Sequence, residues 1–239
     1  MRSAIRSSCI LVAAIALALS VAGVGGAQGE CTYDGLSPRM LTPRAGSIPR
    51  RGGGIVVARV PGAFRGELEA ISLSRRRATQ ALAVSELAPG LHRLVPTAVP
   101  RAGAWDVVGL GETLSLTFGN GELPGVPVRP SVRAMRRVAR AAVGTSAGAG
   151  RLSVRAELEF PVPVGTVAIV VTWNDEPVPA VWTPALLGQT SLDVYSELAS
   201  CEPAPAGWHG PPDGPLTARI AYVDAMGQVS PASSAVNVE

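Results

Sequence analysis

Along most of the chain apolar residues recur at every second position, the period of a strand with one face on a core and the other in water. Residues 152–160 show it most clearly: Leu152, Val154, Ala156, Leu158 and Phe160 fall on one face, and Ser153, Arg155, Glu157 and Glu159 on the other. Residues 112–118 alternate likewise. By contrast 166–173 is β-branched and apolar almost throughout, which predicts a strand buried on both faces. Further strands are expected at 54–60, 67–74, 81–87, 91–95, 105–110, 191–195, 216–223 and 235–238, with 27 Gly and 21 Pro punctuating the chain. Residues 131–143 read two ways. Val132, Met135, Ala139 and Ala142 form a helical stripe with Arg133, Arg136, Arg137 and Arg140 off it, so a short basic helix and the first strand of a second domain both fit. The pattern as a whole predicts an all-β fold of two consecutive β-sandwich domains.

Charge supports that division. Residues 28–128 carry 11 Arg against 8 acids, residues 129–151 carry 6 Arg and no acid, and residues 152–239 carry 2 Arg against 10 acids. We therefore expect a sandwich domain at 28–128, a basic linker or first strand at 129–151, and a second sandwich at 152–239. The simplest role for the basic stretch is internal, complementing the acidic domain that follows it.

Residues 1–27 have the three parts of a secretory signal: Arg2 and Arg6, an apolar stretch from Cys9 to Val24, and small residues at Gly25, Gly26 and Ala27. The apolar stretch is too short to span a membrane comfortably, so no transmembrane anchor is expected after cleavage. The chain from Gln28 onward would carry 19 Arg and 18 acids, a net charge of +1. Overall charge that low lacks the footprint of a nucleic-acid binder, and no nucleic-acid partner is expected. The same chain keeps two cysteines, Cys31 and Cys201, in an oxidising compartment. One bridge between them would close a loop of about 170 residues and restrict the unfolded chain by about 5 kcal/mol.

Three segments carry a resemblance to known families. Leu41-Thr-Pro-Arg-Ala-Gly-Ser-Ile-Pro49, followed by Gly54-Ile-Val-Val57, resembles the start of bacterial immunoglobulin-like domains, and Leu87-Ala-Pro-Gly-Leu-His-Arg-Leu94 is similar to their approach to a late strand. Ala221-Tyr-Val-Asp-Ala-Met-Gly-Gln-Val-Ser-Pro231 resembles the last hairpin of fibronectin type III-like domains, with Gly227 placed for the positive φ such a turn needs. Neither half contains the two cysteines of an immunoglobulin bridge. The resemblance implies an immunoglobulin-like first domain, a fibronectin III-like second domain, and a secreted display or adhesion role without catalysis.

Candidate chemistry is sparse. Gly144-Thr-Ser-Ala-Gly148 fits the G-x-S-x-G elbow and resembles that of patatin-like lipases, which makes a secreted serine hydrolase using Ser146 the alternative function. An elbow needs an apolar strand before it and a helix after it. Here an Arg-rich stretch precedes and the 152–160 strand follows, so a Gly/Ala/Ser linker is the preferred reading. The family's oxyanion loop would be sought in Gly52-Gly53-Gly54, about ninety residues upstream and too far for its compact pattern, its Asp-Gly pair in Asp213-Gly214, which Pro215 follows, and an imidazole base in His92 or His209, which no spacing recommends. No metal site or cofactor is expected, since the two His lie 117 positions apart. Asp193 and Glu197 would share a face only on a helix, which their β-branched surroundings argue against, and the loop acids Asp175 and Glu176 could bind a hard cation but lie in no EF-hand pattern. The candidate binding loop holds Trp208 and His209 among Gly and Pro, while Trp105, Trp173 and Trp182 are read as core. The reading is an exported, non-catalytic binding or structural module whose partners are envelope or extracellular proteins.

Overall fold

The computed structural model describes residues 39–43, 47–58, 67–110, 114–140, 151–181, 188–196 and 214–239. Strands dominate them. The first eight are β1 (Arg39–Thr42), β2 (Ser47–Pro49), β3 (Ile55–Ala58), β4 (Ser72–Arg75), β5 (Ala78–Ala88), β6 (Leu91–Pro96), β7 (Gly103–Val108) and β8 (Leu114–Gly119), joined in the order β1-β3-β6-β5-β4-β7-β8-β2. Strand β5 belongs to both ends of this sheet, pairing with β4 from Ala78 to Ala81 and with β6 from Leu82 to Ala88. The sheet therefore folds over on itself. Ile55, Val57 and Leu94 from one layer meet Leu73, Trp105, Val107, Leu116 and Phe118 from the other in a common core.

The remaining strands are β9 (Val132–Arg140), β10 (Arg151–Leu158), β11 (Thr166–Trp173), β12 (Glu176–Val181), β13 (Ser191–Ser196), β14 (Thr217–Asp224) and β15 (Val236–Asn237). They form a three-stranded sheet, β13-β10-β9, and a four-stranded one, β12-β11-β14-β15. Every pair within these sheets is antiparallel. Between them lies a second core that includes Val154, Ala156, Leu158, Ile169, Val171, Trp173, Leu192, Ile220 and Tyr222. This seven-stranded, two-sheet build is the one implied by the resemblance to fibronectin III-like domains. Of residues 131–143, which fit a helix and a strand alike, 132–140 are a strand paired along its length with β10, and 141–143 lie outside the described residues.

A third buried cluster joins the two sandwiches, which belong to one compact unit, Asp34–Glu239. Strand β11 sends Ile169, Val171 and Trp173 into its own core, and sends Ala168 and Val170 outward against the first sandwich. Ala221 and Val223 of β14 face the same way, and they meet Val56, Ala58, Ala88 and Leu91. This explains the uninterrupted apolar runs at 55–58 and 166–173, because those strands have apolar neighbours on both faces. The loop after β14 extends the contact by placing Met226 in the first core. Arg93 secures it, its Nε donating to Met226 O at 2.9 Å and its Nη2 to Gly52 O at 2.7 Å. Gly54 and Gly227 make room for that side chain: a Cβ at Gly227 would lie 2.7 Å from Arg93 Cγ, and one at Gly54 2.9 Å from Arg93 Nε. Gly227 has φ of 73°, the positive value expected of it.

Several expectations need correction. The segment at 67–74 begins as a helical turn, Glu67–Ala70, and becomes strand only at Ser72. Glu, Leu and Ala are good helix formers, and burying Leu68 needs a single turn, closed by Ile71 N donating to Leu68 O at 3.2 Å. Phe160 is 68% exposed instead of core, because the β10 register shifts between Glu157 and Leu158 and the strand ends there. Ser153, expected in water, is fully buried and donates to Val138 O at 3.2 Å. Strands β1, β2 and β12 were not expected. Each contains Pro or follows it closely, and each lies at an edge of its sheet, where a missing N–H is tolerated.

Candidate functional site

Several side chains singled out from sequence, namely Cys31, Cys201, Trp208, His209, Ser146, Trp182 and Glu197, lie outside the described residues. Those within them have structural roles. Trp105 and Trp173 are buried, as expected of core residues. Asp193 pairs with Arg155 at 3.0 Å across β13 and β10, and Asp175 pairs with Arg219 at 2.9 Å. Among the described residues no group of three or more His, Cys, Asp and Glu side chains could hold a metal ion. His92 lies on β6 opposite Val57 and Glu86. Gly52 takes φ of 73° in the turn before β3, and that left-handed backbone already accounts for the glycine.

The notable chemistry lies elsewhere, at one end of the first sandwich. Strands β4, β6, β8 and β2 all run toward this end, and β5, β7 and β3 leave from it. The connections there hold Arg50, Arg51, Arg75, Arg76, Arg77 and Arg101, with Glu122 as the single acid in residues 49–54, 75–78, 97–102 and 119–123. Thus six of the 11 Arg in 28–128 share one end with a single acid among the described residues there. Modest net charge concealed this polarity. The signal that could have revealed it was the position of each Arg run between two alternating segments, since turns on alternate hairpins fall at the same end of a sheet.

Two of these arginines build the surface and four are available on it. The Arg50 Nε donates to Pro100 O at 2.6 Å and its Nη1 to Asn120 Oδ1 at 3.1 Å. Arg75 Nη1 donates to Ala102 O at 2.7 Å, Trp105 Nε1 to Arg101 O at 2.9 Å, and Gln80 Nε2 to Ala98 O. The 97–102 connection is thereby fixed from several sides before any ligand arrives. Arg51, Arg76, Arg77 and Arg101 are exposed, and their guanidinium groups have no partner among the described residues. Arg76, Arg77 and Arg101 line an open groove of about 690 Å³, and Arg51 lines a neighbouring one of about 300 Å³, with Val99 shared between the two.

Arg76 also has an unfavourable backbone. It begins the two-residue turn between Arg75 and Ala78 with φ of 56°, in the left-handed region. Glycine suits such a hairpin position, and an arginine there costs about 1 kcal/mol. Asn174 and Asp175, the other non-glycine residues at positive φ, are of the types that tolerate it.

No protein-family model and no curated protein matches the chain. Among solved structures it is similar to fibronectin(III)-like modules of Clostridium thermocellum CbhA, at 12% identity and a TM-score of 0.26, over 84% of this chain and 92% of that one. It is also similar to dimeric latent PorU from Porphyromonas gingivalis, at 15% identity and a TM-score of 0.25, over 88% of this chain but 21% of that one.

Proposed function

We propose that this is an exported, non-catalytic binding module of the cell envelope or exterior, with two sandwich domains, a Cys31–Cys201 bridge and its binding end at the arginine-bearing connections of the first sandwich. One observation carries the reading: four guanidinium groups without a partner among the described residues stand around a connection already held rigid by Arg50, Arg75, Gln80 and Trp105. Side chains used only for solubility need no such fixed platform. Export is supported by the charged, apolar and small-residue pattern of residues 1–27. Among the described residues no helix is long and apolar enough to cross a membrane.

The test is an intact mass of the exported product, alkylated with and without reduction, together with labelling by a fluorophosphonate serine probe. The expected result is a chain starting at Gln28 whose two thiols react only after reduction and which takes no probe. A product that keeps Met1, or thiols that react throughout, would remove export and the bridge. Labelling that disappears in Ser146→Ala would replace the binding module with a serine hydrolase.

A further inference from the structure

The geometry points to an acidic polysaccharide as the ligand of the arginine-bearing end, laid across the two grooves and gripped through its carboxylate or sulfate groups. This rests on the binding-module reading and names the class of its ligand. Guanidinium groups present planar, paired donors that match carboxylate and sulfate oxygens. Four such groups, with fixed polar side chains beside them, offer repeated anion contacts in two grooves that share Val99. A linear chain carrying a charge on successive sugars can engage several of these groups at once, and a single small anion would leave most of them unused.

Competing occupants fit less well. Three acids of the second sandwich already have arginine neighbours within it, Asp193 with Arg155, Asp175 with Arg219 and Glu239 with Arg136, which weakens them as a counter-surface from a second copy. Single-stranded nucleic acid is held by stacking on exposed aromatic rings. The aromatic ring here, Trp105, is buried with its N–H occupied. Protein interfaces are anchored by large buried side chains, whereas Val99 and Leu123 are the large apolar side chains exposed near these connections.

Arg76 supplies the second, independent observation. An arginine standing where glycine would be less strained points to a contribution of its side chain other than to folding. Replacing it with glycine separates the two roles. In Arg76→Gly, thermal stability should stay the same or rise while affinity falls. A merely structural arginine would give the opposite pattern.

The experiment uses the full-length exported protein, with polygalacturonate and heparin as probes and dextran, poly-glutamate and a single-stranded oligonucleotide as comparisons, at low and moderate salt. Polygalacturonate or heparin should bind at least tenfold more tightly than any comparison polymer. Arg76→Gly should weaken that binding about threefold, and the triple variant Arg51→Gln, Arg77→Gln, Arg101→Gln about 30-fold. The dependence of log affinity on log salt should be less steep by roughly one for each contact removed. Arg129→Gln with Arg133→Gln, exposed on other parts of the chain, should change neither. The inference is overturned if neither polysaccharide binds, if the control pair loses as much affinity as the triple variant, or if Arg76→Gly binds like wild type. Equal binding of poly-glutamate would assign the surface to an acidic protein, and equal binding of the oligonucleotide to nucleic acid. Failure of the polysaccharides with no fluorophosphonate labelling removes the ligand class alone, whereas labelling removes the module reading itself.

Discussion

Asp224 shows how much one short side chain can organise. Its Oδ1 accepts from the backbone N–H groups of Met226 and Gln228, each at 2.8 Å, and its Oδ2 accepts from Gln228 Nε2 at 2.8 Å. The carboxylate thus closes the loop that places Met226 in the first core and presents Met226 O to Arg93. Asp224→Ala leaves buried donors without partners and should cost about 2–3 kcal/mol in urea unfolding, because an orphaned N–H loses its hydration as well as its bond. An unchanged midpoint would show that the loop closes without it. Tyr222, on the same strand, has its phenol raised above 10.0 by burial. The unfolded chain then gives up that proton first, so this group lowers stability as pH rises above about 10 and has no effect at neutral pH. Tyr222→Phe should flatten the alkaline limb of a stability profile measured from pH 8 to 11.

Among elements, strand β14 has a distinctive outer edge. Its inner neighbour is β11, but on the other side only Thr217 and Ala218 meet a regular strand, β15. Further along, Ser230 and Ser233 take over. Tyr222 N donates to Ser230 Oγ at 2.9 Å and Ile220 N to Ser233 Oγ at 3.1 Å, while the serine N–H groups donate back to Tyr222 O and Ile220 O, each at 2.8 Å. Hydroxyls stand in for carbonyls in a segment where Pro231 interrupts a normal ladder. Replacing both serines with Ala should cost about 1–2 kcal/mol per site and speed hydrogen exchange at Ile220 and Tyr222. Slow exchange at both amides in the double variant would rule out this substitution of hydroxyl for carbonyl. The sequence revealed strands by their period and the all-β class with them. It did not reveal this edge, because a serine that completes a ladder looks like any loop serine. Nor did it separate Phe160 from its alternating neighbours, since the register shift that ends β10 depends on its partner. The arginine-bearing end was hidden for a related reason: Arg51, Arg76 and Arg101 are 25 residues apart in sequence and meet only through the hairpins between them.

At the scale of the molecule, the charge blocks take on a different meaning. Residues 132–140 of the basic stretch are strand β9 of the acidic sandwich, where Arg136 lies 3.8 Å from Glu239. From Val132 to the end there are 7 Arg and 10 acids, so the second sandwich is only mildly acidic once its first strand is included. Coupling between the sandwiches is mainly apolar instead, through Val56, Ala58, Leu91, Ala168, Val170 and Val223, with the Arg93–Met226 hydrogen bond beside it. Val56 tests this directly. It is fully buried and faces the shared cluster, whereas its neighbours Ile55 and Val57 face the first core. Val56→Asp therefore puts a charge into the contact while leaving both cores their own residues, and a dry carboxylate there costs several kcal/mol. In the wild type, hydrogen exchange at β4 to β6 and at β11 and β14 should report one common opening. In Val56→Asp the two sets should separate, with β11 and β14 protected by the seven strands of their own sandwich after the first has opened. If both sets open together in the variant, the sandwiches are one cooperative body held by more than this cluster, with Met226 and Arg93 the next contacts to remove.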